Sequence, residues 1–162
     1  MRIGVVGDTH NRMTNVAKIV ALFREARVTR VVHTGDITEA RVLATFAELD
    51  VPLVGVFGNN DRHTRSELRT DAKRYGMDLV DPPRTLDWGG RQILVAHDPE
   101  EVPTALPGEV DLVLHGHTHR HRHEVIDRTL FFNPGECAGM LEGRNAVGLV
   151  DLADLTPTLL RF

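Results

Sequence analysis

The chain has 162 residues, enough for one domain that buries about 70% of the surface its unfolded form exposes. Hydrophobic residues make up 41% and charged residues 26%, which excludes a disordered, collagenous or low-complexity chain. The net charge of -4 offers no overall basic field for nucleic acid and leaves only a local basic patch open, and the single cysteine, Cys137, excludes a disulfide framework and thiolate zinc modules.

In chain order, Ile3 to Val6 reads as a strand, followed by Val16, Ile19, Val20, Phe23 and Ala26 at helical spacing, then by the apolar pair Val31 and Val32. Thr38 is the expected N-cap of a second helix carrying Val42, Leu43, Phe46 and Leu49 on one face, and Leu53 to Phe57 reads as a third strand. Parallel pairing is expected in this half. Ser66 to Tyr75 reads as a short helix. Arg84 to Trp88 and Arg91 to Ala96 flank Gly89-Gly90, the composition of a two-residue hairpin, and antiparallel strands are expected from there on. Pro99 to Leu106 is a further helix candidate. Leu112 to Leu114, Glu124 to Ile126, Leu130 to Phe132 and Ala146 to Val150 complete the strand candidates. The result is a single α/β domain over residues 1–162 built on mixed sheets. No stretch reaches 18 apolar residues, and Asp8 and His10 interrupt anything resembling a signal segment, so the expectation is a cytoplasmic protein in a reducing compartment.

Five apolar runs end alike. Ile3 to Val6 runs into Asp8 and His10, Val31-Val32 into Asp36, Leu53 to Phe57 into Asn59-Asn60-Asp61, Ile93 to Ala96 into His97, and Leu112 to Leu114 into His115, His117 and His119. In an open α/β sheet the carboxyl ends of the strands form the ligand crevice, so five segments deliver carboxylate, carboxamide and imidazole groups to one rim. Any one of these residues alone reads as a turn former or a satisfied histidine; the five together point to a shared metal site.

Residues two apart in an extended segment sit roughly 6.6 Å apart on the same side, so His117 and His119 would serve neighbouring ions. Asp36, from a central strand, is the natural bridge between them. An oxygen and nitrogen donor set without thiolate suits manganese, iron, zinc, nickel or cobalt better than calcium or magnesium.

Other chemistries fall away. There is no Gly-Lys dipeptide for a Walker loop, no dinucleotide fingerprint after the first strand and no Gly-x-Ser-x-Gly elbow, and a binuclear amidohydrolase barrel needs about 250 residues. Cys137 reads as an inert thiol. His121 and His123 read as exposed on a strand leading away from the site, and His33 and His63 as structural. Seventeen arginines stand against two lysines, a bias in keeping with a GC-rich genome more than with a phosphate-recognition role for the whole set.

Gly7-Asp8-Thr9-His10, Gly35-Asp36, Gly58-Asn59-Asn60-Asp61, His97 and Gly116-His117-Thr118-His119 resemble, in order and spacing, the five motifs of the calcineurin-like metallophosphoesterases. The likeness covers nearly the whole chain and is strongest to the small single-domain phosphodiesterase branch of bacteria and archaea. It implies a four-layer α/β/β/α sandwich of two mixed sheets with a dimetal site at the strand ends. One ion would be held by Asp8, His10, Asp36 and His119, the other by Asp36, Asn59, His97 and His117. Asp36, Asn59, Asn60 and Asp61 would form the catalytic group. A hydroxide bridging two divalent transition-metal ions, manganese first, would attack phosphorus in line in a small phosphodiester. Asn133-Pro134-Gly135 resembles a loop that shapes the pocket.

Three departures from the family pattern stand out. Asn60 replaces a histidine or cysteine that is a candidate proton donor, and Asn cannot be a general acid at neutral pH. Asp98 follows His97 where glycine is common, and Glu136 follows Asn133-Pro134-Gly135 where serine is common; both are expected to bring negative charge to the pocket and to disfavour monoesters. The rivals to a phosphodiesterase are a phosphomonoesterase and a noncatalytic scaffold such as the retromer subunit of this fold, which has lost metal-site histidines. Neither a membrane partner nor a strong nucleic-acid signature is expected, and a homo-oligomer is left open.

Overall fold

The computed structural model describes residues 1–106 and 108–162. Its first half is the strand–helix–strand series expected from the sequence. Strand β1 (Arg2–Val6) leads into α1 (Met13–Glu25), β2 (Arg30–His33), α2 (Ala40–Ala47) and β3 (Leu53–Val56), then α3 (Arg65–Arg74) and β4 (Asp78–Val80). Strands β1 to β4 are parallel neighbours. Helix α1 buries Val16, Ile19, Val20 and Phe23, the i, i+3, i+4, i+7 stripe that its spacing dictates.

The second half supplies β5 (Arg84–Trp88), β6 (Arg91–Val95), β7 (Leu112–Leu114), β8 (Arg122–Ile126), β9 (Thr129–Asn133), β10 (Ala146–Asp151) and β11 (Thr156–Arg161). One sheet runs β11-β10-β1-β2-β3-β4 and the other β5-β6-β7-β9-β8. Both are mixed. The second sheet corrects the antiparallel expectation: β5–β6 and β8–β9 are antiparallel hairpins, but β6, β7 and β9 run parallel. That parallel core is what sends the carboxyl ends of β6, β7 and β9 to one edge.

Two apolar layers hold the sandwich together. All three helices pack on one face of the first sheet, with Phe23, Phe46 and Leu68 against Val6, Val31 and Leu53. Ile3, Val5, Val32 and Val56 on its other face meet Ile93, Val95, Leu112, Leu114 and Phe132 of the second sheet. Strands buried on both faces read as continuous apolar runs, which is why β1, β2 and β7 were legible without alternation. The outer face of the second sheet is thinly covered. The helix expected over Pro99 to Leu106 is only a one-turn 3-10 helix, Pro99–Glu101, capped by Asp98, and Val102 and Leu106 of the following irregular segment pack on Leu94 and Val113. Among the described residues no helix is long and apolar enough to cross a membrane.

Thr38 is not a helix cap. Helix α2 begins at Ala40, and Thr38 sits at φ +67° with its backbone N–H donating to Asp61 Oδ1 at 2.7 Å, so the loop is bent toward the strand ends instead. Gly89 and Gly90 both have positive φ, as the expected hairpin turn requires. Two short strands escape sequence reading. Strand β4 has three residues, too few to show a period, and β11 opens Thr-Pro, a composition tolerated because it is an edge strand.

Candidate metal centre

The strands β1, β2, β3, β6 and β7 each run out into a polar loop, and the five loops meet. Asp8, His10, Asp36, His117 and His119 all have φ between +48° and +63°. Non-glycine residues rarely adopt this left-handed conformation, and a cluster of them marks a place where the surrounding fold over-determines the backbone. The segment carrying His117 and His119 is therefore bent, not extended. The two imidazoles do diverge, but through alternating left-handed residues and not through strand periodicity.

Two groups of side chains result. Asp8, His10 and His119 offer ligand atoms within 4.8 Å of one another, as do Asp8, Asp36 and His97. Asp36 lies between histidines: its Oδ2 is 3.6 Å from His10 Nε2 and its Oδ1 is 3.6 Å from His97 Nε2. On the far side Asn59 Oδ1 is 2.8 Å from His97 Nε2 and 3.1 Å from His117 Nδ1, and those two nitrogens are 3.3 Å apart. His10 and His119 stack with centroids 5.4 Å apart.

Three of the four imidazoles are held from behind. His97 Nδ1 donates to the Thr34 carbonyl at 2.9 Å, which leaves the Nε2 lone pair facing Asn59. His117 Nε2 faces Asp98 Oδ2 at 3.3 Å, freeing Nδ1, and His119 Nδ1 pairs with the buried Glu136 carboxylate, leaving Nε2 toward Asp8. A carboxylate or carbonyl behind a ligating imidazole fixes its tautomer and its aim. Asp98 and Glu136 thus take on a positioning part in addition to the charge expected of them. Glu136 is buried, with its carboxylate committed to His119 and to the Met140 N–H. Asp98 remains near the rim beside His117.

Other sequence-flagged residues divide clearly. Asp61 is fully buried, and its carboxylate accepts the N–H groups of Asp36, Thr38 and Gly58 at 2.7 to 3.0 Å, which ties two loops together. Asn60 donates to Asp36 twice, from its backbone N–H at 2.9 Å and its side-chain amide at 2.6 Å. His33 is a buried neutral imidazole bonded to Thr9 and Gly35, with burial lowering its pKa to about 3. His115 faces Asn133 and not the metal groups. His63 is exposed on the α3 side and His123 on the edge strand β8, whereas His121, bonded through Nδ1 to the Asn133 carbonyl, lines a cavity beside His119. Cys137 is buried with its thiol donating to the Gly7 carbonyl, and burial pushes its pKa well up, which makes it inert.

Two glycines are required by close approach. A Cβ on Gly58 would lie 2.1 Å from Asp36 Oδ1, and one on Gly116 would lie 2.6 Å from Asp8 Oδ2. These contacts explain the Gly-Asn and Gly-His pairs of the motifs.

The residues fit a cation. His10 Nε2 is buried and has no hydrogen-bond partner. Burial lifts the Asp8 carboxyl to about 6, against the pull of His97 and His119, so its anion lacks adequate compensation from the protein alone. An orphaned nitrogen close to an under-compensated carboxylate is what a metal site looks like to its own ligands.

The model of the calcineurin-like phosphoesterase superfamily domain matches residues 1–155. The chain belongs to that superfamily. A phosphodiesterase of Methanocaldococcus jannaschii is 30% identical to this phosphoesterase over 155 residues, 93% of each chain. Among solved structures, an archaeal phosphodiesterase superposes with a TM-score of 0.89 at 27% identity over all of both chains. A phosphoesterase of E. coli gives 0.74 at 19% identity over 99% of this chain and 98% of its own, a likeness of fold. Vacuolar protein sorting 29 of Cryptosporidium parvum shares the fold too, at 0.65 and 18% identity over 99% and 96%. Superfamily membership together with the 30% identical phosphodiesterase relative makes the protein a metal-dependent phosphoric ester hydrolase that uses divalent ions.

Proposed function

We propose that this phosphoesterase is a dimetal phosphodiesterase acting on small phosphodiesters. One ion is held by Asp8, His10, Asp36 and His119, the other by Asp36, Asn59, His97 and His117, with manganese the first choice among manganese, nickel, iron, zinc and cobalt. The observation that carries the reading is the buried Asp36 carboxylate, whose two oxygens each face a histidine from a different group. The relative that is 30% identical is a phosphodiesterase, which favours diesters over monoesters. When bound, the ions supply Lewis-acid stabilisation of phosphoryl charge and acidify the attacking water.

The protein's own part is positional. Thr34, Asp98 and Glu136 aim the imidazoles, Asp61 ties the Asp36 loop to the Gly58 loop, and Asn60 orients the Asp36 carboxylate while leaving no titratable proton at its position. Asp98 adds one negative charge beside His117, which disfavours a dianionic monoester more than a monoanionic diester. The free buried thiol accords with a cytoplasmic setting.

The test is kcat/KM for an aryl phosphodiester and the matching monoester with protein loaded to two equivalents of each metal. Diester turnover exceeding monoester turnover, and lost in Asp36→Asn, is the expected result. A preference for the monoester overturns the substrate class. Absence of turnover at full loading leaves the scaffold reading in its place.

A further inference from the structure

Beside the His119 group lies a cavity of about 780 Å³, within the range of small-molecule sites. His119 forms part of its wall, so the cavity opens directly off the metal centre. Arg120 from the loop after β7, Arg144 from the loop before β10 and Arg161 from β11 converge on it, with Leu141 and Leu159 supplying apolar surface.

Seven of the other fourteen arginines pair with acids. Arg65 and Arg69 share Asp81, Arg84 holds Asp78 and Arg91 holds Asp111. Among the described residues, no carboxylate lies within ion-pair distance of Arg120, Arg144 or Arg161. The one acid in the wall is Glu136, and its carboxylate is already taken by His119 and the Met140 N–H. A second cationic cavity along α3 is lined by Arg62, Arg65, Arg69 and Lys73, with Asp81 shared by Arg65 and Arg69, but no residue of the metal groups lines it.

Three segments distant in sequence bring three uncompensated guanidinium groups to one cavity, an arrangement that repels itself in the free protein. Guanidinium forks pair bidentately with phosphate, and a terminal phosphate carries close to two charges at neutral pH. The apolar wall at Leu141, itself 44% exposed, suits the uncharged body that separates two phosphates.

We propose that this cavity is a subsite for the non-leaving arm of the substrate, and that the arm carries a second phosphate held by Arg120, Arg144 and Arg161. The proposal rests on the phosphodiesterase reading and narrows it to diesters of a phosphorylated alcohol the size of a nucleotide.

The probes are two p-nitrophenyl esters of thymidine 5′-phosphate, one with a free 3′-hydroxyl and one with a 3′-phosphate, alongside bis(p-nitrophenyl) phosphate. With metal-loaded protein the 3′-phosphate should raise kcat/KM at least about tenfold, mainly through KM, and the double variant Arg144→Gln/Arg161→Gln should erase that gain. Independently of turnover, thymidine 3′-phosphate should bind the metal-free protein measurably by calorimetry where thymidine does not, and binding should vanish in the double variant. Thermal melting of that variant monitors its fold. Hydrolysis of bis(p-nitrophenyl) phosphate with no gain from the 3′-phosphate overturns the subsite. Calorimetric binding lost in the double variant, with no hydrolysis of any ester, upholds the subsite and overturns the phosphodiesterase reading.

Discussion

Asn60 has the clearest individual consequence. Its amide is spent on Asp36 and it offers no proton, while His63, the nearest alternative in sequence, lies exposed on the α3 side. General acid catalysis contributes about 10² to 10⁴ in rate when the departing alkoxide is a strong base. A plot of log kcat/KM against leaving-group pKa should therefore be steep in the wild type, shallower in Asn60→His and unchanged in His63→Ala; a shallow wild-type plot that steepens in His63→Ala makes His63 the acid. Glu136 gives a second prediction. It stands behind His119 as the acceptor for Nδ1, and removal of such a partner typically weakens metal binding about 10- to 100-fold. Chelator competition on Glu136→Gln should show that loss, and an unchanged affinity would mean that the pair does not set the imidazole.

The loops after the strands work as a unit because their backbones interlock. Asp61 is the knot: it binds the N–H groups of the Asp36 loop and of Gly58 together. Gly58 in turn lies against Asp36 so closely that any side chain must displace it, even though its own φ of -97° is ordinary. Gly58→Ala is thus a purely steric perturbation of the proposed bridge. Displacements of about 1 Å at a reacting centre cost about 100-fold in rate, whereas overpacking costs about 1 to 3 kcal/mol in stability. The variant should fold, melt somewhat earlier and lose at least that much diester turnover. Wild-type turnover in a well-folded Gly58→Ala would show that Asp36 tolerates movement.

Folding of the entire chain is coupled to pH through buried imidazoles. Burial lowers His33 from 6.5 to about 3. Between those values the unfolded chain binds a proton that the folded chain does not, so stability rises with pH across the window. The contribution is complete above 6.5 and is lost as pH falls toward 3. For His33 it amounts to about 2 kcal/mol between pH 7 and pH 5. Urea titrations of metal-free protein should show stability falling over that interval, and falling less in His33→Gln by about that amount. His10 and His115, also lowered by burial, sustain a residual slope in the variant. Equal slopes in the two proteins would mean that His33 is protonated in the folded state.

Much of this molecule can be read without coordinates because its signals are local and repeated. Continuous apolar runs mark strands covered on both faces, and the same runs ending in Asp, Asn or His mark a rim, since a chain leaving a buried strand must turn and expose polar groups there. The Gly-Gly hairpin and the stripe of α1 belong to the same class. Other features depend on residues far apart in the chain. The parallel core of the second sheet joins β6, β7 and β9 by segments that show no α-helix among the described residues to announce a crossover, and Val102 and Leu106 of the 99–106 segment pack on Leu94 and Val113 across the sheet. Thr38 has the composition of a cap and is pulled out of that role by Asp61, 23 residues away. Glu136 reads as pocket charge until His119 is seen beside it, and Arg120, Arg144 and Arg161 are ordinary surface cations until three segments close around one cavity. A side chain's type is written in the sequence, but its partner is chosen by packing, and charge acquires a function only through what lies within a few ångströms of it.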